Sequence, residues 1–401
     1  MPKTILIAFL SILTVGAIIV QPDASFKASL QGLTVWWNIV FPGLLPFLVL
    51  LELMRAFGLA HAMGALLRPF MHRLFRLPGH AASAVVIGWM GGYPAGGEAA
   101  ATLRRSRLIG RPEGERLLAY AHMPNPLFML VIVGAGFLGQ PQAGFHIAAS
   151  VWLSALWLML AEAQVVRFFG SKGMDAARGE RRRGWLKSAA EAMHEGRRQD
   201  GRSFGTALGD AVTTSVQKLM AVGGFIMLAA VLAKLTEPLF EPLTRLGLTF
   251  FGPALFESHL GAYAASAWLS APYGEAVKAG VIAAVLAFGG LSGVLLAGYS
   301  ISGTDLRLLP FVARRIAHAA HAFLFALLLR EPLNGLFAKF GAVSLPSFFG
   351  MGGAAPAGHA AAPVAANALP ALWPASLTAA GLLALVLTAA GLTLRLLVRR
   401  G

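Results

Sequence analysis

The chain of 401 residues is 57% hydrophobic and only 13% charged, with a mean hydropathy of +0.67. This composition excludes a soluble globular protein of such length and predicts an all-α polytopic membrane protein, while the lack of cysteine excludes disulfides and thiolate metal sites. The net charge of +15 does not indicate nucleic-acid binding, because the basic residues fall between apolar segments, where they set membrane orientation.

The N-terminal unit, residues 1–32, is predicted to be a first transmembrane helix followed by an outer loop. Residues 4–20 are an apolar run of about the minimum spanning length behind Lys3. A cleaved signal peptide is the alternative, but no small-x-small cleavage site follows the run, which favours a retained span. A second span over 34–54 then returns to the cytoplasm, and an amphipathic interfacial helix is predicted over 56–79.

Residues 81–102 are apolar at both ends but hold four glycines, Pro94 and Glu98 at their centre. Proline and glycine break helices, and clusters of basic residues flank the stretch on both sides. The positive-inside rule therefore favours a re-entrant helical hairpin with its tip in mid-membrane over a simple span. A kinked helix packed through its glycines is the alternative. Irregular backbone at that depth is tolerated where it lines a polar cavity, which makes the tip a candidate binding site.

The rest of the first half contains a second interruption. A span over 117–138 is broken by the sequence Met-Pro-Asn-Pro at 123–126, where two prolines free backbone carbonyls and the amide of Asn125. Residues 146–166 return and complete a first repeat over 33–166. The basic, polar segment 167–218 is predicted to be a cytoplasmic linker.

The second half repeats this plan over residues 219–330. A span over 219–236 and an interfacial piece over 237–247 precede a second broken apolar segment, 248–273, with Glu257, Ser258 and His259 at its centre. Few basic residues flank this segment, so the hairpin is predicted to enter from the outer side. A span over 279–300 is interrupted by glycines and by Ser292, and a further span covers 316–330.

The last unit, residues 331–401, is predicted to be an outer loop over 331–374 and a final span over 376–394. The total is about eight transmembrane helices and two re-entrant helical hairpins, with both termini cytoplasmic. Because the two hairpins enter from opposite sides, the halves form an inverted-topology repeat. That pattern is typical of secondary transporters, whose substrate lies at the repeat interface.

Four short motifs in the chain resemble motifs of a known protein family. They are Gly-Gly-Tyr-Pro-Ala-Gly at 91–96, Pro-Asn-Pro-Leu-Phe at 124–128, Phe-Gly-Gly-Leu-Ser at 288–292 and Ser-Gly-Thr-Asp at 302–305. Over residues 33–330 the chain resembles the sporulation integral membrane proteins of the nucleoside-recognition, or gate-domain, family, which is similar in plan to concentrative nucleoside transporters. The resemblance implies export of dipicolinic acid during sporulation, in the bacterial inner membrane or the outer forespore membrane. By analogy with the trimeric nucleoside transporters it also implies a homo-oligomer.

The predicted substrate-binding residues lie at the hairpin tips and helix breaks. They are Gly91, Gly92, Tyr93, Gly96, Glu98, Asn125, Glu257, Ser258, His259, Gly290 and Ser292. Positive N-terminal helix ends and glycine N–H groups would suit a planar dianion, with Tyr93 or Tyr263 against its ring. Glu98 and Glu257 suit a dianion less well, so they carry a proton, cap a hairpin helix or indicate a different substrate.

No cofactor, metal or enzymatic activity is predicted. His318 and His321 lie one helical turn apart, but no third ligand is near in sequence, and neither a Gly-x-Ser-x-Gly nor an intramembrane-protease motif occurs. The expected partners are the lipid bilayer and a small-molecule substrate. The alternatives to an anion transporter are a nucleoside or other small-solute transporter, or a non-transporting membrane scaffold that acts through a partner protein.

Overall fold

The computed structural model describes residues 2–169, 185–268 and 274–340, and the regular structure in these ranges is helical. A π-helical stretch, Trp36–Val40, joins the second and third helices, and another, Phe128–Phe137, follows the seventh. The helices of the first half are α1 (Pro2–Val20), α2 (Pro22–Val35), α3 (Phe41–Ala56), α4 (Leu59–Arg73), α5 (Ala81–Gly91), α6 (Tyr93–Arg105), α7 (Arg111–Ala121) and α8 (Pro141–Phe169).

The second half continues the same architecture. A 3₁₀ turn, Glu237–Phe240, separates its second and third helices. The helices are α9 (Trp185–Asp200), α10 (Phe204–Leu235), α11 (Glu241–Arg245), α12 (Phe251–Phe256), α13 (Ser258–Ala267), α14 (Gly274–Phe288), α15 (Gly290–Ser300) and α16 (Leu308–Phe340).

Five helices in the described ranges are long and apolar enough to cross a membrane: Pro22–Ala56, Pro141–Arg167, Phe204–Leu235, Gly274–Ser300 and Leu308–Gly335. They contain five of the predicted spans. The predicted span 4–20 lies in α1, span 117–138 is split between α7 and the π-helix, and span 376–394 lies outside the described residues. The all-helical class is therefore confirmed, whereas the number of eight spans and the re-entrant inverted repeat stay predictions.

Three predicted boundaries are wrong. The outer loop expected before residue 33 is helix α2, which begins with Pro22 at its first turn, where proline needs no donor. The predicted linker 167–218 contains α9 and the first half of α10, which begins where the Ser203 hydroxyl accepts a hydrogen bond from the Thr206 N–H. Helix α16 continues to Phe340, past the expected start of the outer loop. Polar residues on one helix face lower local hydropathy without ending the helix.

Helices α5 and α6 form the first hairpin, with the chain reversing at Gly92, whose φ is 85°. A Cβ built on Gly88 would lie 2.8 Å from the Cα of Gly96. In a continuous helix two residues eight apart would be separated by about 12 Å. The stretch is therefore a folded hairpin and not a kinked helix.

Helices α12 and α13 form the second hairpin around Glu257, which is extended with φ −150° and ψ 131°. Here Gly261 faces Ala254, because a Cβ on the glycine would lie 2.4 Å from the Cα of Ala254. Both predicted broken segments thus fold back on themselves, and each is followed by an interrupted helix.

The two interruptions have different causes. After α7 the prolines at 124 and 126 prevent helix continuation, and the Asn125 carboxamide oxygen accepts the Leu127 N–H at 2.8 Å as the chain turns helical again. The Asn125 amide donates to the Met90 carbonyl at 3.2 Å, which ties this break to the first hairpin. Between α14 and α15 the break is made by Gly289 and Gly290, with φ of 88° and 70°, a region that favours glycine.

Candidate substrate site

A partly open cavity lies between the two hairpin turns and the two helix breaks. Most of the predicted substrate-binding residues line this cavity: Gly91, Gly92, Tyr93, Asn125, Glu257, Ser258, His259 and Ser292. Apolar side chains of α3 and α10 complete the wall, and Leu44, Leu48, Val222 and Phe225 are among them. The fold thus brings together residues as far apart in sequence as Leu44 and Ser292.

Gly96, Gly290 and Glu98 were predicted for the same site, but they are not among the residues that line the cavity. Gly96 packs against the Ala121 carbonyl, and Gly290 packs against the Glu257 backbone, 2.9 Å from the position of an added Cβ. The Glu98 side chain is 52% exposed, and its carboxylate lies 3.7 Å from the Lys218 ammonium. The two glycines therefore permit close packing, and Glu98 takes part in an ion pair.

The N-terminal ends of three helices meet at the cavity. Tyr93 and Ser258, the first residues of α6 and α13, line it, and so do Gly289, which precedes α15, and Ser292 in the first turn of α15. The α13 end is capped, because the Glu257 carboxylate accepts the Leu260 N–H at 2.7 Å, whereas Gly92 and Gly289 offer no side-chain cap to α6 and α15. Two helix ends with partial positive charge therefore face the cavity without a capping carboxylate.

Glu257 is almost fully buried, with 2% of its surface exposed, and its oxygens are well partnered. The Nδ1 atom of His259 lies 2.6 Å from one oxygen, and the Ser258 hydroxyl donates to the same oxygen at 3.3 Å. Such partners offset the cost of burying a carboxylate. Among the three roles considered from the sequence, the contacts of Glu257 are those of a cap on the hairpin helix α13.

Tyr93 connects the first hairpin to the second half of the chain. Its hydroxyl donates to the Leu286 carbonyl at 2.6 Å, near the end of α14, and its ring lies 4.9 Å from that of His122. Tyr263, the other aromatic candidate, is 44% exposed and packs on Phe137 outside the cavity wall. Only Tyr93 of the two is placed to contact a solute in the cavity.

Arg315 of α16 is completely buried. Its guanidinium donates to carbonyls at the ends of two interrupted helices, namely Ala119 in α7 at 3.3 Å and Phe288 in α14 at 3.2 Å. His318, one turn further on, is also buried and lies 2.9 Å from the Val151 carbonyl. Phe311, Arg315 and His318 lie on one buried face of α16, and an arginine at helical spacing does not by itself indicate burial.

Lys218 was assigned to the end of the polar linker, but it lies near the middle of the 32-residue helix α10 and lines the cavity. Its ammonium is 2.5 Å from the Glu52 carboxylate. No sequence pattern directly indicates this position, because the helix extends well into the segment whose charge suggested a linker.

Ion pairs also join the two halves away from the cavity. Arg104, at the end of α6, donates two hydrogen bonds to Asp305, in the loop before α16, at 2.8 and 2.9 Å. These hydrogen bonds and the positive charge hold the pKa of Asp305 below its usual value. Arg307 pairs with Glu115 of α7 at 2.8 Å in the same region.

Comparison with known proteins gives two matches. Residues 38–161, which include the first hairpin and Asn125, match the family model described as "Gate: Nucleoside recognition". The chain is also 34% identical over 349 residues to the sporulation integral membrane protein YlbJ of Bacillus subtilis (strain 168), and the match covers 82% of this chain and 84% of that protein. No solved structure matches the chain.

Proposed function

This chain belongs to the family of the sporulation integral membrane protein YlbJ, and on that premise we propose that it is a bacterial inner-membrane transporter of a small anionic solute. The proposed solute is dipicolinic acid, pyridine-2,6-dicarboxylate, moved during sporulation. The sporulation role rests on the relative's name and the family resemblance, and the charge of the solute rests on the site.

The observation that carries the proposal is the pair of helix N-terminal ends at the cavity. The α6 and α15 ends have no side-chain cap, and each carries a partial positive charge with N–H groups available to an acceptor. The hydroxyl of Ser292 and the ring of Tyr93 lie in the same wall. A flat molecule with two carboxylates fits this combination better than an uncharged solute does, because the positive helix ends stabilise negative charge.

The arrangement of hairpins supports transport. Each half of the chain carries a helical hairpin followed by an interrupted helix, and the interruptions meet at one cavity. We propose that both hairpins are re-entrant and enter from opposite sides, with both termini cytoplasmic. Rocking of one half against the other would then expose the cavity to each side in turn.

The first test is solute binding to the full-length protein in detergent, measured by thermal shift with pyridine-2,6-dicarboxylate, succinate and uridine. A ligand at about 100 times its dissociation constant stabilises the folded state by about 2.7 kcal/mol, so Tm should rise with pyridine-2,6-dicarboxylate. A rise with uridine alone would assign a nucleoside instead, in line with the description of the matching family model.

Flux separates a transporter from a scaffold protein. Proteoliposomes should take up radiolabelled pyridine-2,6-dicarboxylate faster than empty vesicles, and a Ser292→Ala variant should reduce that uptake while it still inserts. Uptake equal to that of empty vesicles for dicarboxylates and nucleosides alike would contradict transport and favour a scaffold that acts through a partner.

A further inference from the structure

Lys218 is a cation on a helix long and apolar enough to span a membrane. Its side chain is 18% exposed, and it shares the cavity wall with residues from the first turns of α6, α13 and α15. It is the only lysine among the described residues of that wall, which contain no arginine. Charged groups at such positions are costly, and they are usually retained because they contact a solute, an ion or a functional partner.

The partners of Lys218 come from two other helices. Glu52 of α3 lies 2.5 Å from its ammonium, and Glu98 of α6 lies 3.7 Å from it. Glu52 also accepts hydrogen bonds from Arg55 at 3.2 and 3.3 Å. Glu98 is about half exposed. If Lys218 turned away, Glu52 would keep Arg55 as a cationic partner and Glu98 would stay about half exposed.

We propose that Lys218 binds a carboxylate of the transported solute and exchanges its ion pairs with Glu52 and Glu98 for one with the solute. This inference rests on the proposed function and identifies the residue that makes the site selective for anions. A lysine ammonium is a compact charge on a flexible stem, so it reorients without moving the backbone. In a partly buried wall the attraction between the two charges is much stronger than in water.

The exchange divides the binding of a dicarboxylate between two sides of the cavity. One carboxylate meets the uncapped helix ends of α6 and α15, and the other meets Lys218 on α10. The alternative is that Lys218 only ties α10 to α3 and α6. A tie would change protein stability but would not distinguish anionic from uncharged solutes, so the two roles differ in a measurable way.

The test compares dissociation constants of the full-length protein in detergent for pyridine-2,6-dicarboxylate, succinate and uridine. Lys218→Gln should raise the dissociation constants for both dicarboxylates about ten- to hundredfold, which corresponds to the loss of one charge-assisted hydrogen bond. The dissociation constant for uridine should stay unchanged. Lys218→Arg should retain most of the affinity. The matched control is Lys234→Gln on the same helix, because Lys234 is 48% exposed, pairs with Glu237 and lies outside the cavity wall.

A second variant covers the case in which Lys218→Gln does not fold. Glu98→Gln keeps the lysine and removes a competing carboxylate, so it should lower the dissociation constants for both dicarboxylates. Unchanged or weaker dicarboxylate affinity in that variant, or wild-type affinity in a folded Lys218→Gln protein, would overturn the assignment. Wild-type protein that binds no dicarboxylate would instead remove the proposed function, and the role of Lys218 with it.

Discussion

The carbonyl oxygen of Ala121 restricts two positions of the first hairpin to glycine. It lies where α7 ends, and a Cβ on Gly88 or Gly96 would come within 1.9 or 1.8 Å of it. Both distances are far below van der Waals contact, so the three backbones pack directly on one another. The break in α7 is thus held against the hairpin by main-chain contact, which explains why Gly96 supports the site without lining the cavity.

Gly96→Ala should therefore destabilise the protein strongly. The added methyl meets backbone that cannot move aside cheaply, so the expected loss in unfolding free energy is about 1–3 kcal/mol or more. The control is Gly224→Ala in α10, where nothing lies within 4 Å of the new Cβ and alanine favours the helix by up to about 1 kcal/mol. The stability of both variants can be compared through their Tm values in detergent. Equal Tm values for the two variants would contradict the close packing.

At the scale of elements, helix α16 holds the two interrupted helices together through Arg315. The guanidinium reaches carbonyls of both α7 and α14, and the second of these helices also receives the Tyr93 hydroxyl. Carbonyls near a helix break lack their usual partners, and side chains that donate to them offset that loss. The site therefore depends on a helix that contributes nothing to the described cavity wall.

The loop between α15 and α16 is fastened to α6 by the pair Arg104 and Asp305, which makes the contribution of this contact dependent on pH. The pKa of Asp305 is lower in the folded protein, so its stabilising effect is full above the unfolded pKa of about 3.9 and is lost as pH falls through the folded value. Asp305→Asn should thus lower Tm by a constant amount from about pH 5 to 8, and the difference should shrink below about pH 4.

Asp23→Asn is the matched control, because its pair with Lys27 is 4.0 Å long and highly exposed. That variant should match the wild type at each pH. A Tm difference for Asp305→Asn that already declines between pH 8 and 5 would show that another group controls the contact.

At the scale of the whole molecule, the two hairpins and two interrupted helices surround one cavity. The pattern of basic residues predicts that the hairpins enter from opposite sides of the membrane. Helix geometry alone does not fix sidedness, because a hairpin packs in the same way whichever side it enters from. Because the sequence contains no cysteine, a single introduced cysteine is the only thiol that a maleimide can label. Labelling can therefore show from which side each hairpin enters.

Ser106→Cys and Leu246→Cys test the inverted arrangement. Both residues are exposed, Ser106 between α6 and α7 and Leu246 just before the second hairpin. A membrane-impermeant maleimide should label Ser106→Cys only in inside-out vesicles and Leu246→Cys only in intact cells, with the unmodified chain as the unlabelled control. Labelling of both variants from one side would contradict the inverted repeat.

The helical membrane class, both hairpins and both helix breaks can be predicted from the order of residues alone. Glycine, proline and the apolar runs act locally, through backbone conformation and lost donors, so their effects are visible in the order of residues. Hydropathy did not determine the beginning of α2 or α10, because a polar helix face and a polar loop have similar composition.

Only the tertiary structure decided which residues line the cavity. Lys218 enters the wall because α10 extends into a charged segment, and Arg315 is buried because α16 packs across two helix ends that lie far away in sequence. Glu98 does not line the cavity, and its carboxylate lies 3.7 Å from the Lys218 ammonium. Each of these outcomes depends on contacts between distant elements, and residue order alone carries no information about which charges will face one another.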